Sequence, residues 1–321
     1  MSSYATVFAD QPFTARQAAD VGLTRSALWR LRQGGGVRRL LTDVYVDASV
    51  PDALDLRVAA LALVVPADAV VCLRAAAWVW GVDALRMGAH LAVPPVDVLR
   101  PAGRSASRRT GVAGRSGALP DGDAVTLCGI QVTTPVRTAV DLGRLLCRPD
   151  ALAALDAMRR LPGLDPVTLA AAVERFGRHR GVVQARELAG LADPRSESAM
   201  ESRTRLRARD AGFPPFEPQV EVFDPAGAFV ARLDLGRRAE RKAIEYDGDQ
   251  AHGSAPQQRH DHVRRRRAEG CGWGIAVVTG GQVLSRALLF EYGVAELLGV
   301  AFRLSPNHPR YGGWDSQPWA A

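Results

Sequence analysis

Phe229-Val230-Ala231-Arg232-Leu233-Asp234-Leu235 and Lys242-Ala243-Ile244-Glu245-Tyr246-Asp247 read as two neighbouring strands separated by a polar turn near Arg237. Gln219-Val220-Glu221-Val222-Phe223 precedes them through Asp224-Pro225-Ala226-Gly227, a hairpin turn signature, so the three strands form a meander. Side chains alternate along a strand, and Glu245 and Asp247 therefore point to one face. Adjacent carboxylates repel unless a proton or cation compensates them, which makes a divalent metal the favoured explanation. Asp234 offers a further oxygen ligand from the neighbouring strand. Hairpin arithmetic works against closure: a turn centred near Arg238 pairs Asp234 with Lys242, so reaching Glu245 needs a bulge or an offset turn. The competing reading is ordinary ion pairing of these acids with Arg232, Lys242 or the run Arg264-Arg265-Arg266-Arg267.

Upstream, Glu197, Glu201 and Arg205 recur at four-residue intervals and share one face of a helix that continues to Gly212. Downstream, Gly248 releases the chain, and His252 and Lys242 are accessory basic candidates, although a lone histidine after a strand has many other uses. A helix then carries Gln258, Asp261 and Arg264, the last two one turn apart. Four consecutive arginines cover every helical azimuth, so some meet solvent and can meet phosphates, Arg264 and Arg265 among them. An apolar strand (271–279), a last helix (282–298) and a Pro- and Gly-containing irregular tail close the chain. Magnesium at the acids would orient water and stabilise charge building on a phosphodiester.

The N-terminal segment has a different rhythm. Thr14 with Gln17 forms a helix start, Ala18, Ala19 and Val21 give an apolar face, and Gly22 stops it. Thr24 caps a second helix whose Leu28 and Leu31 face inward while Arg25, Trp29 and Arg32 take other azimuths. After Gly34-Gly35-Gly36, residues 37–46 form a short β-ribbon around a Thr42-Asp43 turn. Helix, tight turn, helix and ribbon is the winged-helix pattern, with Arg25, Arg30, Arg32 and Arg38 as nucleic-acid-binding candidates. The alternative is a small helical bundle whose arginines are merely solvated.

The middle of the chain reads as scaffold: a helix over 55–65, a compact helix over 72–81, a strand at His90-Leu91-Ala92-Val93-Pro94 and an arginine-rich loop from Arg100 to Arg115. A strand over 124–132 then leads into a helix started by Pro135, followed by helices near 150–160 and 166–176.

The chain has 321 residues, 47% of them hydrophobic, which is enough for two or three compact units and excludes global disorder. Lys and Arg total 41 against 34 acids, and the net charge of +7 favours acidic partners such as nucleic acid. Cys72, Cys128, Cys147 and Cys271 are scattered without metal-finger spacing, as in a reducing compartment. The apolar stretch 58–71 is interrupted by Pro66 and Asp68 and is shorter than a membrane span, and the first residues lack a signal-peptide pattern. A cytoplasmic protein without membrane association is expected.

On these residues the sequence resembles a group of actinobacterial two-part proteins. The front, about Phe13 to Asp47 with a looser match at Thr133-Thr134-Pro135-Val136-Arg137-Thr138-Ala139-Val140-Asp141-Leu142, resembles the antitoxin of AbiE-type abortive-infection systems. The rear resembles the very-short-patch-repair and restriction endonuclease-like superfamily. Glu201-Ser202, residues 230–235, Ile244-Glu245-Tyr246-Asp247-Gly248, His252, Asp261-xx-Arg264 and Gly272-Trp273-Gly274-Ile275 carry that likeness.

The resemblance implies a multidomain α/β (α+β) fold: a winged helix-turn-helix at 1–50, a mixed antitoxin-like middle at 51–194, a restriction endonuclease-like α/β domain at 195–300 and a tail at 301–321. It implies Asp234, Glu245 and Asp247 as ligands of Mg2+ or Mn2+, with Glu201 as the helix acid. Asp247 stands where many restriction enzymes place a lysine, a departure shared by the patch-repair branch, in which histidine serves; that part falls to His252. The leading expectation is metal-dependent endonuclease chemistry on duplex DNA, in phage defence or repair. The alternative is a non-catalytic regulator or antitoxin of a type IV toxin–antitoxin system, opposing a nucleotidyltransferase-like toxin.

Overall fold

The computed structural model describes residues 8, 10–84, 96–100, 111–248, 255–285 and 287–302, with the backbone alone across 255–261. The expected strand at 90–94, most of the arginine loop, His252 and the tail from 303 onward lie outside the described residues. The chain has a mixed α/β, multidomain architecture and divides into two compact units, Met1–Leu142 with Val167–Arg175 and Gly143–Pro166 with Phe176–Ala321. No described helix is long and apolar enough to cross a membrane.

In the first unit, β1 (Phe13–Thr14) runs into α1 (Ala15–Asp20) through a closed capping box. The Thr14 hydroxyl accepts from the Gln17 amide at 3.2 Å, and the Gln17 carboxamide accepts from the Thr14 amide at 2.8 Å. Gly22, at φ +83, makes the turn into α2 (Arg25–Gln33), whose first turn is capped by the Thr24 hydroxyl on the Ala27 amide at 3.2 Å. Leu28 points inward and is buried with Phe13, Ala18 and Val37. β2 (Val37–Leu41) and β3 (Val44–Asp47) pair antiparallel around Asp43, which takes φ +65, and the sheet order is β1-β3-β2.

The chain continues through α3 (Leu54–Ala62), β4 (Val70–Val71), α4 (Leu73–Val79), β5 (Val96–Arg100), β6 (Val112–Ser116), β7 (Ala124–Leu127) and β8 (Ile130–Thr133). These strands form a five-stranded sheet in the order β6-β5-β4-β8-β7. Val58, Leu61, Val71, Ala76, Val98 and Val132 are in its core. Arg100 and Arg115 belong to strands β5 and β6, not to a loop, and Arg100 pairs with Asp68. The single strand expected over 124–132 is a hairpin, because Cys128 (φ +43) and Gly129 (φ +84) both take left-handed conformations and reverse the chain in two residues.

α5 (Pro135–Leu145) presents Arg137 to a buried acidic pair. The guanidinium donates to Asp141 at 2.7 Å and to Asp123 at 2.8 Å, and Arg175 reaches the other Asp123 oxygen at 2.9 Å. α6 (Arg148–Met158) belongs to the second unit, whereas α7 (Pro166–Glu174) lies almost wholly in the first.

The rest of the second unit comprises α8 (Val182–Leu191), α9 (Ala199–Asp210), β9 (Glu217–Phe223), β10 (Phe229–Arg237), β11 (Lys242–Asp247), α10 (Ala255–Gly270), β12 (Gly274–Thr279), α11 (Gly280–Leu284) and α12 (Leu289–Leu298). The sheet order is β12-β11-β10-β9. β9, β10 and β11 form the expected antiparallel meander; β12 then returns parallel to β11 after the α10 crossover, from Lys242↔Gly274 to Asp247↔Thr279. Leu235, Ile244, Val278, Phe290 and Val294 form one apolar cluster, and Val220, Leu233, Ala243, Ala268 and Trp273 another.

α9 is fixed by arginines. Arg203 pairs with Asp150 and Arg205 with Asp156, both at 2.8 Å on α6. Arg207, fully buried, donates to both oxygens of Glu291 at 2.7 and 2.8 Å and to the carbonyls of Gln282, Val283, Ser285 and Ala287.

Candidate functional site

The turn between β10 and β11 occupies Arg238 to Arg241, with Arg241 at φ +51, and sets Arg237 opposite Lys242 and Leu235 opposite Ile244. One step further along that register, Asp234 comes level with Glu245. The pairing with Lys242 that hairpin arithmetic suggests is therefore replaced by an offset turn, and the two acids share a face.

At this point the two strands part. The Tyr246 amide donates to Asp234 Oδ2 at 2.8 Å. The Arg232 carbonyl accepts from Arg264 Nη1 at 2.8 Å. Side chains thus satisfy backbone groups that the antiparallel ladder leaves over, as buried polar groups require.

Glu201 enters from the first turn of α9. Ser198 caps that helix by accepting from the Glu201 amide at 3.1 Å, and the Glu201 carboxylate reaches back to accept from the Glu197 amide at 2.9 Å. Its Oε2 also accepts from Gln219 Nε2 at 2.7 Å. Glu197 precedes the helix and pairs with Arg232 at 2.8 Å, while Arg205 is directed to Asp156. The expected common face of Glu197, Glu201 and Arg205 is therefore not formed: the helix starts two residues after Glu197.

Glu245 is buried and accepts from Arg264 at 2.9 Å (Nη1) and 3.4 Å (Nη2), with Arg265 Nε at 3.7 Å. Asp247 is half-buried, with Arg265 Nη2 at 3.8 Å. The ion-pair reading of the sequence thus holds for Glu245. Asp234 behaves differently. Burial pushes its carboxyl up to about 7; the Tyr246 amide pulls the other way, the charges of Glu201 and Glu245 raise it further, and Arg264 lowers it.

Hard carboxylate oxygens are the donors that magnesium takes. As placed, however, Glu245 is engaged by guanidinium, and among the described residues no group of three His, Cys, Asp or Glu side chains is set to hold a metal ion. In this arrangement Glu245 is matched to the fixed organic cations of Arg264 and Arg265.

The candidate nucleic-acid residues divide in the same way. Arg25, Arg30 and Arg32 are exposed on α2. Arg38 is half-buried and donates to the Val50 carbonyl at 2.7 Å. Arg264 and Arg265 turn toward the acids, leaving Arg266 and Arg267 outward. Gln219 was not singled out from sequence, and a glutamine at φ +56 within a strand carries no local signature. The inward turn of Arg264 did leave a trace: Ala268, buried against the sheet, lies one helical turn beyond it.

The fold and this cluster define a multidomain α/β protein with an arginine-neutralised acidic site. Residues 69–209 match the family model described as the AbiEi antitoxin C-terminal domain. Over 257 residues the chain is 34% identical to the uncharacterized protein MT2308 of Mycobacterium tuberculosis (strain CDC 1551 / Oshkosh), spanning 80% of this chain and 90% of that one. The same figures hold for the uncharacterized protein Rv2248 of M. tuberculosis (strain ATCC 25618 / H37Rv). The chain belongs to the family of these mycobacterial proteins, and its residues 69–209 resemble an AbiEi-type antitoxin domain.

Proposed function

We propose that this protein is a DNA-binding regulator of the antitoxin kind, in which a restriction endonuclease-like core is kept for binding and not for cutting. The observation that carries the reading is the antitoxin-domain match over residues 69–209. The guanidinium groups on Glu245 support it, since a divalent ion there would meet two positive charges already in place. In this reading β1 to β3 with α1 and α2 form a winged helix, and α2 presents Arg25, Arg30 and Arg32 to duplex DNA. Its partner is a nucleotidyltransferase-type toxin encoded nearby.

A second reading, metal-dependent endonuclease, is favoured by one observation: Asp234, buried beside Glu201 and Glu245, has its carboxyl raised to about 7, as functional-site acids often do. Asp234, Glu245 and Asp247 would then be the metal-binding acids and Glu201 the helix acid.

One experiment separates the two. Mixed, nicked and mismatched duplexes are incubated with Mg2+ or Mn2+ and the native chain, its Asp234→Ala and Glu245→Ala forms, and a form with Arg25, Arg30 and Arg32 all changed to Ala. Duplex binding that the arginine substitutions abolish, with no cutting, is the expected result. Metal-dependent cutting lost in both acid variants would replace the regulator with the enzyme.

A further inference from the structure

α2 carries a residue that neither the charge argument nor the packing uses. Trp29 is 60% exposed in the middle of the helix, one turn from Arg25 and one turn from Arg32. The helix contains no acid, and its opposite face is held by Leu28 in the small core of Phe13, Ala18 and Val37. An indole is the costliest side chain to leave in water at a position where Ala, Lys or Gln would suit the helix better. It contributes nothing to the local core, so its value lies in what covers it.

The flanking guanidinium groups decide the occupant. Arg25, Trp29 and Arg32 at i, i+4 and i+7 make one stripe, cationic at both ends and apolar in the centre, with Arg30 beside it. A protein partner matched to that stripe would need acids spaced at its ends. Duplex DNA offers the match without further assumption: phosphates flank a major groove whose only apolar group is the thymine 5-methyl.

We infer that Trp29 is a specificity-determining contact, packing its indole against a thymine methyl in the major groove while the arginines hold the neighbouring phosphates. The inference rests on the DNA-binding reading of α2. Arginine contacts to phosphate alone bind any sequence; the indole makes the helix prefer some.

The test is selection from a pool of random 25-base-pair duplexes by the full chain and by Trp29→Ala. The substitution removes an exposed side chain, and an unchanged melting temperature establishes that the variant is folded. The native chain is expected to enrich a motif with a fixed thymine, and Trp29→Ala to lose that position while keeping its affinity for unselected duplex. Replacing that thymine by deoxyuridine, which removes only the methyl, is expected to weaken native binding about tenfold. It should leave Trp29→Ala binding unchanged.

An identical motif from both proteins, or an equal deoxyuridine effect in both, overturns the assignment of Trp29. If the native chain enriches nothing and the Arg25, Arg30 and Arg32 substitutions leave duplex binding intact, the DNA-binding reading itself has failed, and the assignment of Trp29 falls with it.

Discussion

The second unit contains two arginine–glutamate pairs made of the same chemistry and used differently. In the Arg207–Glu291 pair both side chains are wholly buried, the carboxylate is gripped at 2.7 and 2.8 Å, and the remaining guanidinium hydrogens go to four carbonyls. In the Arg264–Glu245 pair one bond is 2.9 Å and the other 3.4 Å, and the guanidinium also serves the Arg232 carbonyl. The first pair is balanced and closed. The second sits beside Asp234, whose carboxyl is raised by burial to about 7. The difference teaches that the same ion pair locks structure when it is closed on all sides by hydrogen bonds, and couples to the protonation of a neighbouring acid when it is only partly enclosed.

The largest expected effect lies in the closed pair. Arg207→Met leaves Glu291 buried without its partner and should cost about 3–5 kcal/mol in chemical denaturation. Adding Glu291→Leu should recover much of that loss; no recovery would mean that the carbonyl contacts, and not the charge, dominate.

The next effect sits on the open side and depends on pH. Because the Asp234 carboxyl is raised above its unfolded value, the folded state holds its proton more tightly, and stability falls as pH rises from about 4 to about 7. Asp234→Asn removes this loss. It should stabilise the protein by on the order of 3 kcal/mol at pH 8 and have almost no effect at pH 4. A gain that is equal at both pH values would break the contrast between the two pairs.

Arg264→Ala should cost less, about 1–2 kcal/mol, because its site is partly open to water. In that variant the Asp234 titration, followed by carbon NMR, should move upward as a favourable charge is lost. The smallest effect belongs to the exposed Arg266–Glu269 pair at 3.2 Å, where Arg266→Ala should change stability by about 0.3 kcal/mol or less.

Local chemistry was readable and long-range geometry was not. The Thr14–Gln17 capping box, the Thr24 cap and the Asp224–Gly227 hairpin depend on neighbours in sequence, and each forms as its residues suggest. The alignment of Asp234 with Glu245 depends on where the Arg238–Arg241 turn closes, which rests on an arginine in a left-handed conformation. The hairpin at Cys128-Gly129 was hidden for the same reason: cysteine is not a residue that marks such a turn. At the site, the identity of the acids was legible, whereas the partners of Glu201 and Glu245 were not. Gln219 and Arg264 reach them from 18 and 19 residues away, and no periodicity links those positions.

The parting of β10 and β11 gives the protein an internal reporter. β11 is held along its other edge by a parallel ladder from Lys242↔Gly274 to Asp247↔Thr279, which runs past the last β10 pair, Leu235↔Ile244. The Tyr246 amide donates to the Asp234 carboxylate. Its deuterium exchange, corrected for the intrinsic effect of hydroxide, should slow as Asp234 ionises, while most of the sheet follows the opposite trend in global stability. One amide thus keeps time for the charge of the site, readable in the unmodified chain.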